Sequence, residues 1–244
     1  MTQIWAHRGA RLIAPENTMA AYAAAIDSGA DGIELDVHLT ADGQVVCAHD
    51  AVLTGADGAR VVLGDGTRDE VARLDVGTLA HGTHRVPLLG EVLDLVSATD
   101  TVLNIELKHG DAPYRGLERA VLDLVDAAGL ADRVVHSSFN HLSLMELRTL
   151  APGAQIAPLY VEALVEPWEY ARRLGVAAMH PHAATLALPG VLEGFGRAGI
   201  AVRPWTVNDP ATLATLYAAG VDAVITDDPA AAVAVRDSAL GTAA

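Results

Sequence analysis

Three carboxylates stand at spacings that could build a cation site. Glu34 and Asp36 lie two residues apart in an apolar stretch, and Glu106 and Lys108 repeat that spacing. Side chains of a strand alternate between its two faces, so each pair shares one face. Oxygen ligands favour one hard divalent cation, Mg²⁺ or Ca²⁺ with Mn²⁺ also possible, which would offset the repulsion between the carboxylates. Taken alone, Glu34 and Asp36 could equally face solvent or pair with arginine or lysine.

Two histidines have neighbours suited to phosphodiester chemistry. His7 precedes Arg8 and Gly9, and His49 precedes Asp50. Cleavage of a phosphodiester needs a base for the nucleophile and an acid for the departing alkoxide. A guanidinium can hold a phosphoryl group through two hydrogen bonds, and a glycine allows the main chain to approach closely. Asp50 either orients the imidazole of His49 or is an ordinary turn residue.

The remaining candidate side chains have weaker patterns. His180 and His182 end a predicted strand and could border a pocket. Trp205 could fill a barrel interior or form an apolar wall for a substrate. The other six histidines have no partner pattern and are predicted to be structural or solvated: His38, His81, His84, His109, His136 and His141.

Short apolar runs alternate with longer amphipathic stretches, which predicts repeated strand–helix units and a parallel sheet. Eight units in 244 residues favour a single (β/α)8 TIM barrel domain over residues 1–244, although an open doubly wound sheet gives a similar pattern. Turn signals in residues 38–87 indicate a small insertion after the second strand. The strands are predicted at Gln3 to His7, Gly32 to Val37, Val102 to Leu107, Arg133 to Ser137, Gln155 to Leu159, Val176 to His180, Ile200 to Trp205 and Asp222 to Thr226.

Composition and net charge limit the classes of molecule that the protein is expected to bind. A net charge of −15 opposes encounters with nucleic acid and with anionic membrane surfaces, so an anionic substrate should be small and met by local positive charge. The chain shows neither a signal-peptide pattern nor an apolar run long enough to span a membrane, and stable membrane association is not expected. The single cysteine, Cys47, fits a reducing compartment. We therefore expect a cytoplasmic protein, and the oligomeric state stays open.

An ordered series of motifs resembles the glycerophosphodiester phosphodiesterase family over nearly the whole chain. The motifs are His7-Arg8-Gly9, Pro15-Glu16-Asn17-Thr18, Gly29-Ala30-Asp31, Glu34-Leu35-Asp36-Val37, Thr40, Asp42-Gly43, His49-Asp50, Val86-Pro87-Leu88-Leu89 with Glu91, Glu106-Leu107-Lys108, Ser138-Phe139, Trp205-Thr206-Val207-Asn208 and Thr226-Asp227 with Pro229.

The resemblance implies a barrel that hydrolyses a small glycerophosphodiester to sn-glycerol 3-phosphate and an alcohol. One departure is visible, because many relatives have an arginine shortly after the His-Asp pair, where this chain has Leu53-Thr54-Gly55. The corresponding positions here are Glu34, Asp36 and Glu106 for the metal, His7 and His49 for acid/base catalysis, Arg8, Lys108 and Trp205 for the substrate, and Glu16 and Asp50 around them.

Two other functions are compatible with these residues. A phospholipase D-like cleavage of lysophospholipids or sphingomyelin would use a similar arrangement of a metal and two histidines. A barrel that only binds phosphoesters would be expected to have lost a catalytic residue, and none is missing here. The residues leave open which histidine is the acid, whether water or a substrate hydroxyl attacks phosphorus, and which alcohol leaves.

Overall fold

Strands and helices alternate along the residues that the computed structural model describes, 1–78, 80–109 and 114–241. A short 3-10 helix at Ala131–Arg133 precedes the seventh strand. In chain order the elements are β1 (Gln3–His7), α1 (Met19–Asp27), β2 (Gly32–Leu39), β3 (Val45–Cys47), β4 (Val52–Thr54), β5 (Arg60–Val62), α2 (Arg68–Val71), α3 (Leu89–Ser97), β6 (Val102–Leu107), α4 (Leu117–Ala127), β7 (Val134–Ser138), α5 (His141–Leu150), β8 (Gln155–Tyr160), α6 (Pro167–Leu174), β9 (Ala178–Pro181), α7 (Ala183–Leu186), α8 (Val191–Ala198), β10 (Ala201–Val202), α9 (Pro210–Ala219), β11 (Ala223–Thr226) and α10 (Pro229–Gly241).

Eight parallel strands form the barrel, in the order β10-β9-β8-β7-β6-β2-β1-β11. Main-chain hydrogen bonds complete the ring: Asp222 N donates to Val202 O at 3.1 Å, and Ile225 N donates to Pro204 O at 2.9 Å. The predicted (β/α)8 TIM barrel is confirmed. The strand predicted at Ile200 to Trp205 is shorter, although main-chain bonding to β9 continues as far as Trp205, whose N donates to Pro181 O at 3.2 Å. Among the described residues, no helix combines the length and apolar character that a membrane crossing requires.

The side chains of β2 alternate between the two faces of the sheet, with apolar residues on one face and acidic residues on the other. Ile33 and Leu35 are fully buried in the apolar layer between the sheet and the helices. Glu34 and Asp36 have the opposite parity and therefore face the barrel interior. Below them the interior is filled by a smaller apolar cluster that includes Trp5 and Ile225. The apolar layers hold the strand, so that its carboxylates need not contribute to the core.

Residues between β2 and α3 fold onto the mouth of the barrel. Strand β3 pairs antiparallel with β2, β4 and β5 form a hairpin, and α2 follows. These elements have their own apolar cluster, which includes Val46, Leu63 and Val71. Ala48 N donates to Asp36 O at 3.0 Å, so the loop after β3 begins at the carboxylates. This loop carries His49.

Gly9 allows the turn after β1 to pack against α1. Its φ angle is +82°, and a Cβ there would lie 2.7 Å from the main-chain carbon of Ala21. Ala10 N also donates to Ala21 O at 2.9 Å, which ties the turn to the helix. Only glycine satisfies both the left-handed conformation and the close approach. The turn therefore fixes where His7 and Arg8 leave the strand.

We predict that Gly9→Ala destabilises the fold more than Gly43→Ala does. Gly43 has nearly the same φ angle, +79°, but a Cβ there would meet nothing within 4 Å. Both variants incur left-handed strain of about 1–2 kcal/mol, whereas Gly9→Ala adds a clash that costs about 1–3 kcal/mol more. Urea unfolding measures the two free energies. Equal losses in the two variants would show that the turn does not depend on contact with α1.

Candidate active site

Three acidic side chains meet at the carboxyl end of the barrel strands. Glu34, Asp36 and Glu106 are all buried, and each offers an oxygen within 4.8 Å of the others. Parallel pairing brings them together, because Asp36 is in register with Glu106 across β2 and β6. Within the described residues this is the one cluster of histidine, cysteine and acidic side chains with metal-binding geometry. It is the cluster that the sequence predicts.

Two cations and one amide contact the carboxylates. Lys108 Nζ lies 2.8 Å from Glu106 Oε1 and 3.3 Å from Asp36 Oδ1. Arg8 Nε lies 3.4 Å from Asp36 Oδ2, and its main-chain N donates to Glu34 Oε2 at 3.0 Å. Asn17 Nδ2 donates to Asp36 Oδ2 at 2.9 Å. Asp36 is thus held from three sides.

The charges within this cluster do not balance. Burial, together with repulsion from Asp36 and Glu106, raises the pKa of Glu34 well above its usual range. Burial and repulsion from Asp36 raise the pKa of Glu106 to about 7. Asp36 is different: burial would raise its pKa, but Lys108 and Arg8 outweigh burial and lower it. Three carboxylates against two cations leave negative charge that a divalent cation would neutralise, so the donor set fits a hard cation.

His7 is held by an acidic side chain at the end of β11. Its Nδ1 lies 2.7 Å from Asp227 Oδ1, and Asn208 Nδ2 donates to Asp227 Oδ2 at 2.7 Å. Burial would raise the pKa of Asp227, but the hydrogen bonds from His7 and Asn208 lower it to about 2. An ionised carboxylate accepts the Nδ1 proton, which leaves Nε2 of His7 for proton transfer.

His49 has a similar but more exposed partner. Its Nδ1 lies 2.7 Å from Asp50 Oδ1. The carboxylate of Asp50 is largely in solvent, with a side-chain exposure of 74%. The main-chain oxygen of His49 lies 3.1 Å from Nε2 of His38, which is buried. Burial lowers the pKa of His38 to about 4, so this imidazole is neutral.

A small cavity of about 50 Å³ joins these groups. Trp205 and Phe139 form its apolar side, with ring centroids 5.4 Å apart and nearly perpendicular planes. A larger cavity of about 550 Å³ begins at His49 and extends along β4. The small cavity is lined by His7, Arg8, Glu34, His49, Asn104, Glu106, Lys108, Phe139, Leu159, Trp205 and Ile225.

The structure brings the candidate residues into one region. Glu16 stands at its edge, where its carboxylate pairs with Arg8 at 2.8 Å and with Arg11. Leu53-Thr54-Gly55 lines the larger cavity. Three further residues contact the candidates. They are Asn17 and Asp227, to which the sequence assigned no role, and His38, which it predicted to be structural or solvated.

The sequence carried a signal for His38 alone. The pairing of His7 with Asp227 depends on strand register, because Trp5 is in register with Ile225 and the next inward-facing positions are His7 and Asp227. His38 lies two residues beyond Asp36 and hence on the same face of β2. Asn17 gives no such signal, because it is placed by a left-handed backbone conformation at φ 53° in the loop before α1.

The comparisons with known proteins agree on one family. The profile of the glycerophosphoryl diester phosphodiesterase family matches residues 7–231. The chain belongs to this family. A glycerophosphodiester phosphodiesterase from Caldanaerobacter subterraneus subsp. tengcongensis is 38% identical, over 93% of this chain and 95% of its own. One from Bacillus altitudinis is 36% identical, over 97% of this chain and 99% of its own.

One of the similar solved structures contains a bound product. An Oleispira antarctica phosphodiesterase, determined in complex with the product sn-glycerol-3-phosphate, superposes with a TM-score of 0.87 and 29% identity. The match covers 97% of both chains. Members of this family are phosphoric diester hydrolases, and the comparisons support glycerophosphodiester phosphodiesterase activity for this chain.

The raised pKa of Glu106 predicts a pH-dependent difference between the chelated wild type and Glu106→Gln. The folded-state pKa of about 7 exceeds the unfolded value of about 4.3. The retained proton therefore favours folding at low pH, and this contribution is lost as the pH rises through the folded-state pKa. The free energy of unfolding of wild type minus that of Glu106→Gln should fall between about pH 4 and pH 7.

Urea unfolding in the presence of chelator measures this difference. Comparing the two proteins is essential, because buried histidines such as His136, whose pKa burial lowers to about 4, give the opposite slope in both. A difference that is constant or rises with pH would contradict the raised pKa of Glu106.

Proposed function

We propose that the chain hydrolyses glycerophosphodiesters to sn-glycerol 3-phosphate and an alcohol, using one divalent cation and two histidines. The observation that carries the proposal is one cavity lined by both histidines and by Glu34 and Glu106, two members of the cluster of three buried carboxylates. The product bound by the Oleispira antarctica relative supports the assignment of the glycerol phosphate part. The alcohol would occupy the larger cavity that begins at His49.

Glu34, Asp36 and Glu106 would hold the cation. Their ligand set consists of oxygen alone, which favours Mg²⁺ or Ca²⁺, with Mn²⁺ also possible, over softer metals. When bound, the cation would polarise the phosphoryl group and lower the pKa of a coordinated hydroxyl. Arg8 and Asn17 contact these carboxylates at the distances given above, and so limit their rotation before any cation arrives.

Arg8 and Lys108 would hold the charge that develops on the phosphoryl oxygens. Both line the small cavity, and both are partly buried, so their charges are less screened than at the surface. Glu16 keeps the guanidinium of Arg8 in place through the 2.8 Å contact. Trp205 and Phe139 would cover the carbon atoms of the glycerol or of the alcohol on the opposite side.

The two histidines would move protons at Nε2. Each has its Nδ1 against a carboxylate, Asp227 for His7 and Asp50 for His49. The carboxylates fix the tautomer and stabilise each imidazole when it becomes charged. One histidine takes the proton of the attacking nucleophile, and the other gives a proton to the departing alkoxide. Where a substrate hydroxyl attacks, the cyclic phosphate that forms is opened by water in a second step, with the two histidines in exchanged roles.

We also propose that the barrel and the elements between β2 and α3 act as one domain, and that the protein works in the cytoplasm. The antiparallel pairing of β3 with β2 and the bond from Ala48 N to Asp36 O support the first proposal. The free and buried thiol of Cys47 is compatible with a reducing compartment.

A substrate panel tests the proposed activity. Purified protein should release sn-glycerol 3-phosphate from glycerophosphocholine and glycerophosphoethanolamine, lose this activity with chelator, and regain it with Mg²⁺, Ca²⁺ or Mn²⁺. Phosphorus NMR identifies the products. Full activity in a chelated, metal-free preparation would refute the requirement for a cation. Cleavage of lysophosphatidylcholine alone would favour the phospholipase D-like function.

Single histidine variants test the proton-transfer roles. His7→Ala and His49→Ala should each lower kcat by about 100-fold or more, because each removes an acid or a base. Asp227→Asn should lower kcat by about 10- to 100-fold, because the amide no longer fixes the tautomer of His7. Substrate affinity should change little, since Arg8 and Lys108 remain. Near-normal turnover in either alanine variant would reassign that histidine as structural.

A further inference from the structure

The side chain of His49 is hydrogen-bonded to an exposed partner. It is 34% exposed, and its carboxylate partner Asp50 is 74% exposed. A hydrogen bond between exposed groups contributes little order, since water competes for both partners. General acid/base catalysis needs the imidazole held within a few tenths of an ångström. The order must therefore come mainly from the backbone that carries His49.

The main-chain oxygen of His49 is bound by a buried side chain. His38 is 2% exposed, and its Nε2 lies 3.1 Å from His49 O. Its Nδ1 lies 2.8 Å from the hydroxyl of Tyr114, and the two rings are edge to face, with centroids 5.5 Å apart. Both ring nitrogens of His38 are thus satisfied.

The partners determine the protonation of the two nitrogens. A main-chain oxygen can only accept, so Nε2 of His38 carries the proton and donates to His49 O. Nδ1 of the neutral ring then accepts the proton of the Tyr114 hydroxyl. The resulting chain of hydrogen bonds runs in one direction, from Tyr114 through His38 to the backbone of His49.

Tyr114 is itself held by the segment that carries His49. A Cβ at Gly64 would lie 2.9 Å from Cε1 of Tyr114, which shows that the ring packs directly on the glycine. Tyr114 precedes α4 and follows β6, the strand that carries Glu106. The contact therefore links the β6–α4 connection to the elements around β5.

We propose that His38 and Tyr114 are positioning residues that hold the backbone of His49, so that its imidazole meets the phosphodiester. His38 sits on the same face of β2 as the carboxylates, which places the anchor of His49 on the strand that would bind the cation. Neither residue needs to touch the substrate. The inference rests on the proposed acid/base role of His49.

Three substitutions separate positioning from mere stability. His38→Ala removes the donor to His49 O, whereas His38→Gln keeps an N–H that can reach the same oxygen. Tyr114→Phe removes only the hydroxyl. We expect kcat on glycerophosphocholine to fall by about 10- to 100-fold in His38→Ala, with most of it recovered in His38→Gln and a smaller loss in Tyr114→Phe. KM should stay within about twofold of the wild-type value. The affinity for Mg²⁺, measured by calorimetry, should also stay within about twofold, because the contacts proposed to bind substrate and cation are unchanged.

His136→Ala is the matched control. His136 is also 2% exposed, and its Nδ1 lies 3.3 Å from a main-chain oxygen, that of Gln155. It lies on β7 and does not line the small cavity. His136→Ala should lower the free energy of unfolding as His38→Ala does, but leave kcat unchanged. This control distinguishes loss of a buried histidine from loss of the anchor.

The possible outcomes lead to separate conclusions. A kcat of His38→Ala within about twofold of wild type, or a His38→Gln variant no better than His38→Ala, would overturn the positioning role. If His38→Ala does not fold, the other two variants test the proposal. A normal kcat in Tyr114→Phe together with an inactive His38→Gln would contradict the proposed chain of hydrogen bonds. His49→Ala is measured in parallel. Full activity in His49→Ala would overturn the proposed function of His49, whereas a large loss there with full activity in His38→Ala overturns this inference alone.

Discussion

Mutual repulsion among three buried carboxylates is the constraint on which the site depends. Glu34, Asp36 and Glu106 converge within 4.8 Å, where little water can screen them. The chain compensates only in part, with Arg8 and Lys108, and the pKa of two of the carboxyls stays raised. Such a cluster is stable because the surrounding core, not the cluster, holds the strands together. The remaining imbalance is what makes the site receptive to a divalent cation.

The barrel satisfies this constraint through alternation and register. Outward-facing apolar residues of β2 and β6 pack against helices, and the inward-facing positions are thereby free to be polar. Parallel pairing sets Asp36 beside Glu106 and His7 beside Glu34. Strand register therefore brings together residues that are distant in sequence. Of the two histidines proposed to transfer protons, only His7 comes from a barrel strand, because His49 lies on a loop beyond β3. That is why its backbone requires anchors of its own.

Sequence periodicity predicts the barrel and most of the site, because the two-residue spacing of Glu34 and Asp36 already determines a shared face. Register between strands far apart in sequence is not encoded locally. The pairing of His7 with Asp227, 220 residues apart, therefore becomes evident only in the closed barrel. The position of His49 is not encoded in the residue spacing either. It depends on how the residues between β2 and α3 fold back onto the barrel, and the spacing does not specify that path.

We expect these carboxylates to bind one hard cation within reach of both histidines. Anomalous diffraction from crystals grown with Mn²⁺ can test this site, because the signal locates the ion independently of any activity. One peak per chain is expected, bounded by carboxylate oxygens of Glu34, Asp36 and Glu106 at about 2.0–2.4 Å. A peak at another group of residues, or none at saturating Mn²⁺, would contradict it.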